Sequence, residues 1–506
     1  MKKRTLKTLF LSGASLLTMA LTSCGDQGVG DVDQVLPSDD PTSEVNIEFW
    51  HCLGHDKANN LNIIVDAFNK KYEGKYKVSA TKAAGTYDAL ADTIKTKSAA
   101  GEVPALAMGY PDSFSVYMTN NISTSHLYRL DGFINDEEFG YSQEELDDFV
   151  PAFLSEGQSY QFEGTWSMPM YKSTEIAYYN ASYFAGANAQ NDNKFKGNSE
   201  FINLENAANK SEATEEQLDA LRTWVEANGG YTYTVPETWN QMFEMARKMK
   251  SDMKNEGLEK TEFYPIGYDS DANMFISQFA QRGIPYTSVG EQGDASSQFL
   301  FNNEQAKGFL TEVVGYVNEK LLITKNVLGG GKYTNEYFTD LKCAMTIGST
   351  GGSSYNVSSN FKVALAPVPF ADGKSPKYIQ QGPSICFFNN ENAYVHKGAW
   401  LFYKMMAVPK YNADLALENS YDPVRVSSYE TDSYKTWIGK HDIDLKYDIP
   451  YHTKDLKNYY MTSPVFNGSD TARSEMEKLI GKVVNSGNTV DKALSDAYDA
   501  CAATVA

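Results

Sequence analysis

Cysteine and histidine are scarce in this chain. Its 506 residues include five cysteines and six histidines, and none of them follows the CxxC or Cys/His spacing that is typical of zinc sites. The sequence therefore predicts no metal site. Cys52, Cys343, Cys386 and Cys501 lie far apart, and we expect isolated small core residues. One or two disulfides stay geometrically possible, because sequence alone does not reveal pairing.

Basic residues are fewer than acidic residues, and this balance argues against a protein that binds nucleic acid. Lys and Arg total 45 against 65 Asp and Glu, so the formal net charge is −20 and the sequence pI is near 4.8. Proteins that bind nucleic acid neutralise its phosphates with clustered Lys and Arg. We therefore expect no nucleic-acid partner.

Catalytic and cofactor motifs are also missing. Residues 329–332 read Gly-Gly-Gly-Lys, but they lack the GxxxxGK[ST] spacing of a phosphate-binding loop, so we predict a flexible turn. No GxSxG element occurs, and the acidic residues are too numerous to nominate a catalytic carboxylate pair. The sequence predicts no cofactor and no catalytic residue, and favours a protein that is not an enzyme.

An apolar run at the N-terminus is too short to span a bilayer. Basic residues precede the run at 9–21, whereas a membrane-spanning helix needs about 20 apolar residues. The run ends in the letters LTSC at 21–24, which resemble the bacterial lipobox. We therefore predict a lipoprotein signal peptide over 1–24, lipidation of Cys24, and a location on the extracytoplasmic face of the cell membrane.

The segment that follows has almost no large hydrophobic residues. Residues 25–44 are rich in Gly, Asp, Ser, Pro and Val, and such a composition does not bury enough surface to order itself. We predict a flexible tether between the lipid and the folded body.

The body exceeds what one hydrophobic core usually supports, so two domains are expected. Short apolar strands alternate with amphipathic helices, which indicates an α/β protein with mainly parallel sheets. The predicted strands cover 45–50, 76–81 and 106–109, and the predicted helices cover 60–71, 87–100, 238–250, 470–484 and 489–503.

Several segments of the body resemble the extracellular solute-binding protein family 1, and most closely its glycerol-3-phosphate-binding branch. The motifs that carry the resemblance are IEFWH at 47–51, GTY at 85–87, MPMYKST at 168–174, YYN at 178–180, PETW at 236–239, CAMTIGST at 343–350, QGPS at 381–384 and YDPVR at 421–425. Each motif is weak alone, but their order covers essentially the whole body.

The resemblance implies a two-lobed periplasmic-binding-protein-like fold of type II, which closes around a solute by bending at a hinge. It implies one lobe from 45–160 plus 378–425 and a second lobe from 161–377 plus 426–506. It also implies a monomer that delivers its solute to an ABC permease. Residues 185–234 look like an insertion, in which Leu218, Leu221 and Trp224 are expected on one docked helix.

The resemblance also nominates ligand-binding residues. They are Tyr87, Asp112, Ser173, Ser349, Gly382, Tyr421 and Arg473. Asp112 matches the family only with a shift. The structural alternatives are a solvent-facing Tyr87, a Ser173 hydroxyl that satisfies hinge backbone, and an Arg473 that pairs with Glu475 or Glu477. An arginine in the pocket would suit phosphate, sulfate or vicinal hydroxyls.

The class of solute stays open at this level. The stretch at 268–273 reads Tyr-Asp-Ser-Asp-Ala-Asn where the glycerophosphate branch uses indoles, and Asp and Asn suit sugar hydroxyls better than an anionic phosphate. We expect a substrate-binding lipoprotein of an ABC importer that captures a sugar or a related polyol or glycerol phosphate. The alternative is a surface-anchored glycan-processing enzyme or adhesin.

Overall fold

The computed structural model describes residues 35–118, 126–440 and 444–505. The strands are β1 (Val45–His51), β2 (Tyr76–Lys82), β3 (Leu106–Gly109), β4 (Ser167–Pro169), β5 (Glu175–Asn180), β6 (Ile266–Tyr268), β7 (Leu322–Thr324), β8 (Met345–Ser349), β9 (Val363–Pro367), β10 (Tyr378–Ile379), β11 (Ser384–Phe387) and β12 (Tyr460–Met461).

The α-helices fill the connections between these strands. They are α1 (Asn59–Lys71), α2 (Tyr87–Ser98), α3 (Pro111–Phe114), α4 (Asp131–Ile134), α5 (Gln143–Asp147), α6 (Pro151–Ser155), α7 (Ala181–Ala185), α8 (Ala189–Lys194), α9 (Ser199–Ala208), α10 (Glu215–Ala227), α11 (Trp239–Asn255), α12 (Asp271–Arg282), α13 (Ala295–Gln298), α14 (Glu304–Asn318), α15 (Lys325–Leu328), α16 (Thr334–Thr339), α17 (Ala393–Met406), α18 (Pro409–Glu418), α19 (Asp432–Ile438), α20 (Ile449–Thr453), α21 (Ser469–Val484) and α22 (Val490–Ala502). None of these described helices is both long and apolar enough to cross a bilayer.

Two five-stranded sheets divide the body into two lobes. The sheet of lobe 1 has the strand order β2-β1-β3-β11-β4, and that of lobe 2 has the order β7-β6-β8-β5-β9. In each sheet the fourth strand in this order, β11 or β5, is antiparallel to both neighbours, so the other four strands share one direction. The expected α/β fold with mainly parallel sheets is confirmed.

The helix signals in the sequence give helices close to the expected positions. In α11, Trp239, Met242, Phe243 and Ala246 are buried on one face, as the apolar spacing predicts. Thr238 accepts a hydrogen bond from the backbone N–H of Gln241, and the Gln241 side chain returns to the cap backbone. This reciprocal capping box starts the helix at the predicted residue.

The first crossing between the lobes falls later than the predicted boundary at 160. Strand β4 still belongs to the sheet of lobe 1, and β5 belongs to lobe 2, so the chain crosses over residues 170–174. The predicted boundary at 425 also differs, because α19 packs against α18 of lobe 1. Residues 426–438 therefore remain with lobe 1.

The hinge consists of short paired segments. Ser173 and Gln381 exchange two backbone hydrogen bonds of 2.9 and 2.8 Å, and the Lys172 N–H donates to the Asp422 carbonyl at 2.9 Å. Strands β10 and β12 pair beside them in parallel. Backbone hydrogen bonds between neighbouring segments therefore hold each crossing in place, in addition to the contacts of its side chains.

The prediction of a flexible tether is wrong for its last part. Leu36 is 4% exposed, and the buried Lys397 side chain donates to the carbonyl oxygens of Pro37 and Asp39 at 2.8 and 2.9 Å. Lys75 forms an ion pair with Asp40 at 2.5 Å. One apolar anchor and a few charged partners suffice to dock this polar segment on lobe 1. The predicted signal peptide over 1–24, the predicted lipidation site Cys24, and residues 25–34 lie outside the described residues.

The core also includes the helices of the insertion at 185–234 and four buried cysteines. Residues 185–234 contribute three helices, α8, α9 and α10, where one docked helix was expected, and Leu218 and Leu221 pack with Phe201 in a small separate core. The thiols of Cys52, Cys343, Cys386 and Cys501 are buried and free. The expectation of isolated core cysteines is confirmed.

Candidate functional site

A cavity of about 330 Å³ lies between the lobes beside the hinge. Both lobes and the hinge contribute to its wall. The residues that matter below are Asp88, Asp92, Tyr110, Asp112 and Glu156 from lobe 1, Gln380, Gly382 and Thr462 from the hinge, and Asp470 and Arg473 from lobe 2. We call this space the charged cavity.

Arg473 projects from the second turn of α21 into the charged cavity. Its guanidinium donates to the Asn273 side-chain oxygen, and the Asn273 amide donates to Glu175 at 3.0 Å. Tyr268 donates its hydroxyl to the same carboxylate at 2.6 Å. Burial raises the pKa of Glu175 to about 7. This relay of side chains fixes the direction of the guanidinium before any ligand arrives.

The predicted alternative for Arg473 is wrong. Glu475 accepts hydrogen bonds from Lys478 and Lys482, at 2.8 and 2.5 Å. Glu477 instead accepts from the backbone N–H of Ala272 at 2.8 Å. Both glutamates are thus engaged elsewhere, and Arg473 faces the cavity half-buried.

Asp112 lies in the charged cavity at the start of the short helix α3, where the chain leaves β3. Burial raises the pKa of Asp112 to about 6; the carboxylates of Glu156 and Asp470 add to that rise, and Arg473 opposes it. The lobes therefore bring Asp112 and Arg473 close enough to interact electrostatically, although the two residues lie far apart in the sequence. A carboxylate and a guanidinium that face one space can recognise both halves of a polar ligand.

The floor of the charged cavity contains a buried ion pair. The Lys172 ammonium, fully buried, donates to Glu156, and also to the Ser384 hydroxyl at 2.8 Å and the Gly382 carbonyl at 3.3 Å. Burial lowers the pKa of Lys172, and Glu156 opposes that shift. Because Glu156 belongs to lobe 1 and Lys172 to the first crossing, the pair ties the hinge to lobe 1.

Three of the other predicted residues meet in a part of the cleft next to the charged cavity, since Tyr87 contacts the Tyr110 ring that lines that cavity. The hydroxyls of Tyr87 and Ser173 lie beside that of Tyr421, and the rings of Tyr171 and Tyr421 are 4.7 Å apart. Burial raises the pKa of Tyr87, Tyr171 and Tyr421. We call these four residues the hydroxyl cluster. The alternative of a solvent-facing Tyr87 does not fit, because its ring contacts Tyr110 at 4.5 Å.

Two predicted residues have local structural uses. The Ser349 hydroxyl accepts from the Gly351 N–H at 3.3 Å and so caps a 3₁₀ turn. Gly382 has a φ of +90°, and a Cβ there would lie 2.8 Å from the Tyr171 carbonyl oxygen. The close approach that requires glycine at 382 is therefore to the first crossing, although this residue also lines the cavity.

The Asp- and Asn-rich stretch at 268–273 is used inside lobe 2. Asp269 accepts from the Thr334 N–H at 3.1 Å, and Asp271 accepts from the Thr324 hydroxyl at 2.9 Å. Asn273 orients Arg473. These side chains support the wall of the charged cavity, so their suitability for sugar hydroxyls does not decide the ligand.

Sequence comparison identifies the family to which the chain belongs. The family described as bacterial extracellular solute-binding protein matches residues 64–440. The chain belongs to this family. The sn-glycerol-3-phosphate-binding periplasmic protein UgpB of Pectobacterium atrosepticum is 21% identical over 424 residues, which cover 83% of this chain and 79% of that protein. The corresponding protein of Brucella abortus is 23% identical over 278 residues, which cover 53% and 61%.

Solved structures agree with the two-lobed fold of this solute-binding protein. UgpB from Mycobacterium tuberculosis in complex with glycerophosphocholine superposes with a TM-score of 0.64 at 14% identity, covering 91% of this chain and 98% of that one. A cyclic alpha-maltosyl-1,6-maltose binding protein from Arthrobacter globiformis gives 0.61 at 15% identity, covering 91% and 99%. At such low identity the likeness establishes the fold alone.

Sequence reasoning missed several cavity residues of this solute-binding protein. Gln380 is 7% exposed and lines the cavity, and both polar atoms of its amide lack a hydrogen-bond partner among the described residues. It directly precedes the QGPS motif, so its neighbourhood was already marked. Thr462 and Asp470 carried no motif, and only the fold brings them to the cavity.

Proposed function

We propose that this solute-binding protein is the receptor of an ABC importer. It captures a sugar, or a related polyol or glycerol phosphate, in the charged cavity and delivers it to the permease. The observation that carries the proposal is the composition of the cavity wall, to which both lobes and the hinge contribute. A ligand in that space contacts both lobes at once, which is how binding favours a closed form.

The polar groups in the wall support a hydrophilic solute. Arg473 offers a planar fork that suits phosphate or vicinal hydroxyls, and the Asp112 carboxylate and the Thr462 hydroxyl line the same space. The names of the relatives support both classes, because some bind sn-glycerol-3-phosphate and others bind maltose-type sugars.

The setting of the receptor is also a proposal. Lipidation of Cys24 would hold a monomer on the extracytoplasmic face of the membrane, beside the permease. The short polar segment before Val35 would then link the lipid to lobe 1, since residues 36–40 already dock there. No catalytic step is proposed. The relatives are solute-binding proteins, which supports transport and does not favour the glycan-processing enzyme or adhesin.

Calorimetric titration of the purified body with a panel of sugars, polyols and glycerol phosphates tests the function. We expect saturable binding with one solute per chain, and unchanged solute recovered afterwards. Failure of every member to bind or to raise the unfolding temperature would contradict the proposal, and so would recovery of a cleaved product.

Arg473→Ala tests the role assigned to the cavity. We expect affinity for sn-glycerol-3-phosphate to fall about a hundredfold, because a desolvated guanidinium that pairs with phosphate is worth several kcal/mol. Arg247→Ala is the matched control, since Arg247 pairs with Glu319 on the surface with about half its side chain exposed. If phosphate binds and Arg473→Ala leaves its affinity unchanged, Arg473 is not its ligand.

A further inference from the structure

Helix α18 of lobe 1 ends in a turn with an unusual backbone. Ser420 has a φ of +63°, in the left-handed region that residues other than glycine rarely adopt. The Tyr421 N–H donates to the Ala416 carbonyl at 3.0 Å. The Ser420 N–H donates to the Leu417 carbonyl at 3.1 Å. These two bonds form a Schellman cap, in which glycine is the usual residue at the left-handed position. The chain therefore has a serine where the helix end by itself favours glycine.

The Ser420 hydroxyl makes a contact between the two lobes. Ser420 is buried, and its oxygen accepts a hydrogen bond from the Ser353 hydroxyl at 3.1 Å. Ser353 is fully buried in the turn that follows β8 of lobe 2. Strained backbone conformations persist where the surrounding structure holds them, and they cluster at functional positions. Here the strain and the interlobe contact occur at the same residue.

The two residues after Ser420 also contact lobe 2. The Tyr421 ring packs closely on Gly351, since a Cβ added at that glycine would lie 2.7 Å from the Tyr421 hydroxyl. The Asp422 carboxylate accepts a hydrogen bond from the Thr453 hydroxyl at 2.6 Å. Thr453 ends α20, which packs against β9 of lobe 2. Three successive side chains of lobe 1 therefore contact lobe 2.

Backbone hydrogen bonds fix this turn to lobe 1 and to the hinge. The Val150 N–H donates to the Val424 carbonyl at 2.9 Å within lobe 1. Asp422 and Lys172 exchange two backbone hydrogen bonds of 2.6 and 2.9 Å at the first crossing. When the lobes separate, these backbone bonds can persist, whereas the side-chain contacts with lobe 2 must break.

We propose that Ser420, Tyr421 and Asp422 form an interlobe clasp, in which a serine that weakens the helix cap holds the two lobes together. The inference goes beyond the proposed receptor function, because it concerns the balance between open and closed forms and not the identity of the solute. A net hydrogen bond changes an equilibrium constant by about fivefold. Loss of a clasp bond therefore lowers the population of the closed form, and it weakens the binding of every solute by the same factor.

Ser420→Gly separates the clasp from ordinary stability. This change removes the interlobe hydroxyl and supplies the residue that the left-handed conformation favours. We expect an unfolding temperature at or above that of the parent, and a larger radius of gyration in small-angle scattering without solute. Calorimetry should show about fivefold weaker binding of maltose and of sn-glycerol-3-phosphate, for each of the two that binds the parent.

Lys320→Gly is the matched control for Ser420→Gly. Lys320 has a φ of +58° and is exposed at the end of α14 in lobe 2. The N–H groups of Lys320 and Leu321 form the same Schellman cap, with carbonyl acceptors at Val317 and Tyr316. We expect this variant to raise the unfolding temperature and to leave the radius of gyration and the affinities unchanged. Identical scattering and affinities for the two glycine variants would overturn the inference.

Thr453→Val tests the clasp from the side of lobe 2. It removes the hydroxyl that bonds Asp422, and we expect a larger radius of gyration and an equal fold-loss of affinity for both probes. Its control is Ser427→Ala, which removes a 2.6 Å hydrogen bond to Asp148 within lobe 1. Thermal unfolding verifies that each variant folds. A radius unchanged in both Ser420→Gly and Thr453→Val would contradict the clasp. If neither probe binds the parent, scattering of the unliganded chain still decides the clasp, and the solute panel separately decides the receptor function.

Discussion

Two neighbouring parts of the interlobe cleft use polar groups in opposite ways. In the hydroxyl cluster the lobes already touch, because Tyr421 packs against Gly351 and the Ser353 hydroxyl donates to that of Ser420 at 3.1 Å. In the charged cavity the polar groups of both lobes instead surround a space of about 330 Å³. Both parts carry residues that the family resemblance nominated, yet of the two only the charged cavity has room for a solute in this structure.

The difference separates residues that position the lobes from residues that can meet a ligand. Tyrosine hydroxyls and serine are neutral over the physiological range, so they tolerate mutual contact when the cleft is shut. Carboxylates and a guanidinium require either one another or a polar occupant. On this comparison we propose closure contacts for Tyr421 and its neighbours, and ligand selection for Asp112 and Arg473.

The largest effect is expected where the hinge meets the floor of the charged cavity. Lys172→Met removes the ammonium and leaves the Glu156 carboxylate buried without its cation. Breaking a buried ion pair on one side destabilises a protein by about 3–5 kcal/mol. We expect a loss of that size in the free energy of unfolding, measured by urea denaturation monitored by fluorescence.

Two further variants decide the cause of that loss. Lys172→Met combined with Glu156→Gln should recover much of the stability, because the second change removes the uncompensated charge. Lys410→Ala, at an exposed pair with Asp414, should change stability by less than about 0.5 kcal/mol. A double variant no more stable than Lys172→Met would indicate lost packing instead of a stranded charge.

A smaller effect should distinguish the hydroxyl cluster, where the lobes touch, from the charged cavity. Gly351→Ala places a Cβ 2.7 Å from the Tyr421 hydroxyl, whereas a Cβ at Gly352 meets nothing within 4 Å. Overpacking of this kind typically costs about 1–3 kcal/mol. We therefore expect Gly351→Ala to lower the unfolding temperature and to favour a more open form in small-angle scattering, and Gly352→Ala to do neither. Identical behaviour of the two variants would remove the role of Tyr421 in closure.

The sequence predicts the architecture better than it predicts the cavity. Apolar periodicity and capping place the elements of lobe 1 and α11 within a few residues, because those signals are local. The cavity depends on contacts between distant segments: Asp112 follows β3, Arg473 lies on α21, and Gln380 belongs to the hinge. Their residue types suggest polar chemistry, but no local pattern reports that the fold brings them together.

The docked segment after the tether illustrates a different limit. Residues 35–40 look disordered by composition, and an isolated polar segment would be. Lys397, more than 350 positions away in sequence, supplies the partner for the carbonyl oxygens of Pro37 and Asp39. Order here comes from the burial of Leu36 and from partners on lobe 1 such as Lys397 and Lys75, so the composition of the segment itself could not predict it.

The smallest expected effect is a pH dependence confined to the charged cavity. Burial, Glu156 and Asp470 raise the pKa of Asp112 to about 6, above the value of about 3.9 in an unfolded chain. Between those values the folded protein holds a proton that the unfolded chain has lost, so stability from this group is full below pH 4 and is lost as pH rises through 6.

Asp112→Asn removes that titration. The unliganded variant should therefore be more stable than the parent by about 1 kcal/mol at pH 7.5, and the difference should shrink toward pH 4. Tyr421→Phe is the control from the hydroxyl cluster, because burial raises the pKa of Tyr421 and its hydroxyl stays protonated across this range. Its unfolding profile should run parallel to that of the parent at every pH. If instead both variants followed the parent in parallel, Asp112 would titrate as an ordinary surface carboxylate, and the electrostatic contrast between the charged cavity and the hydroxyl cluster would disappear.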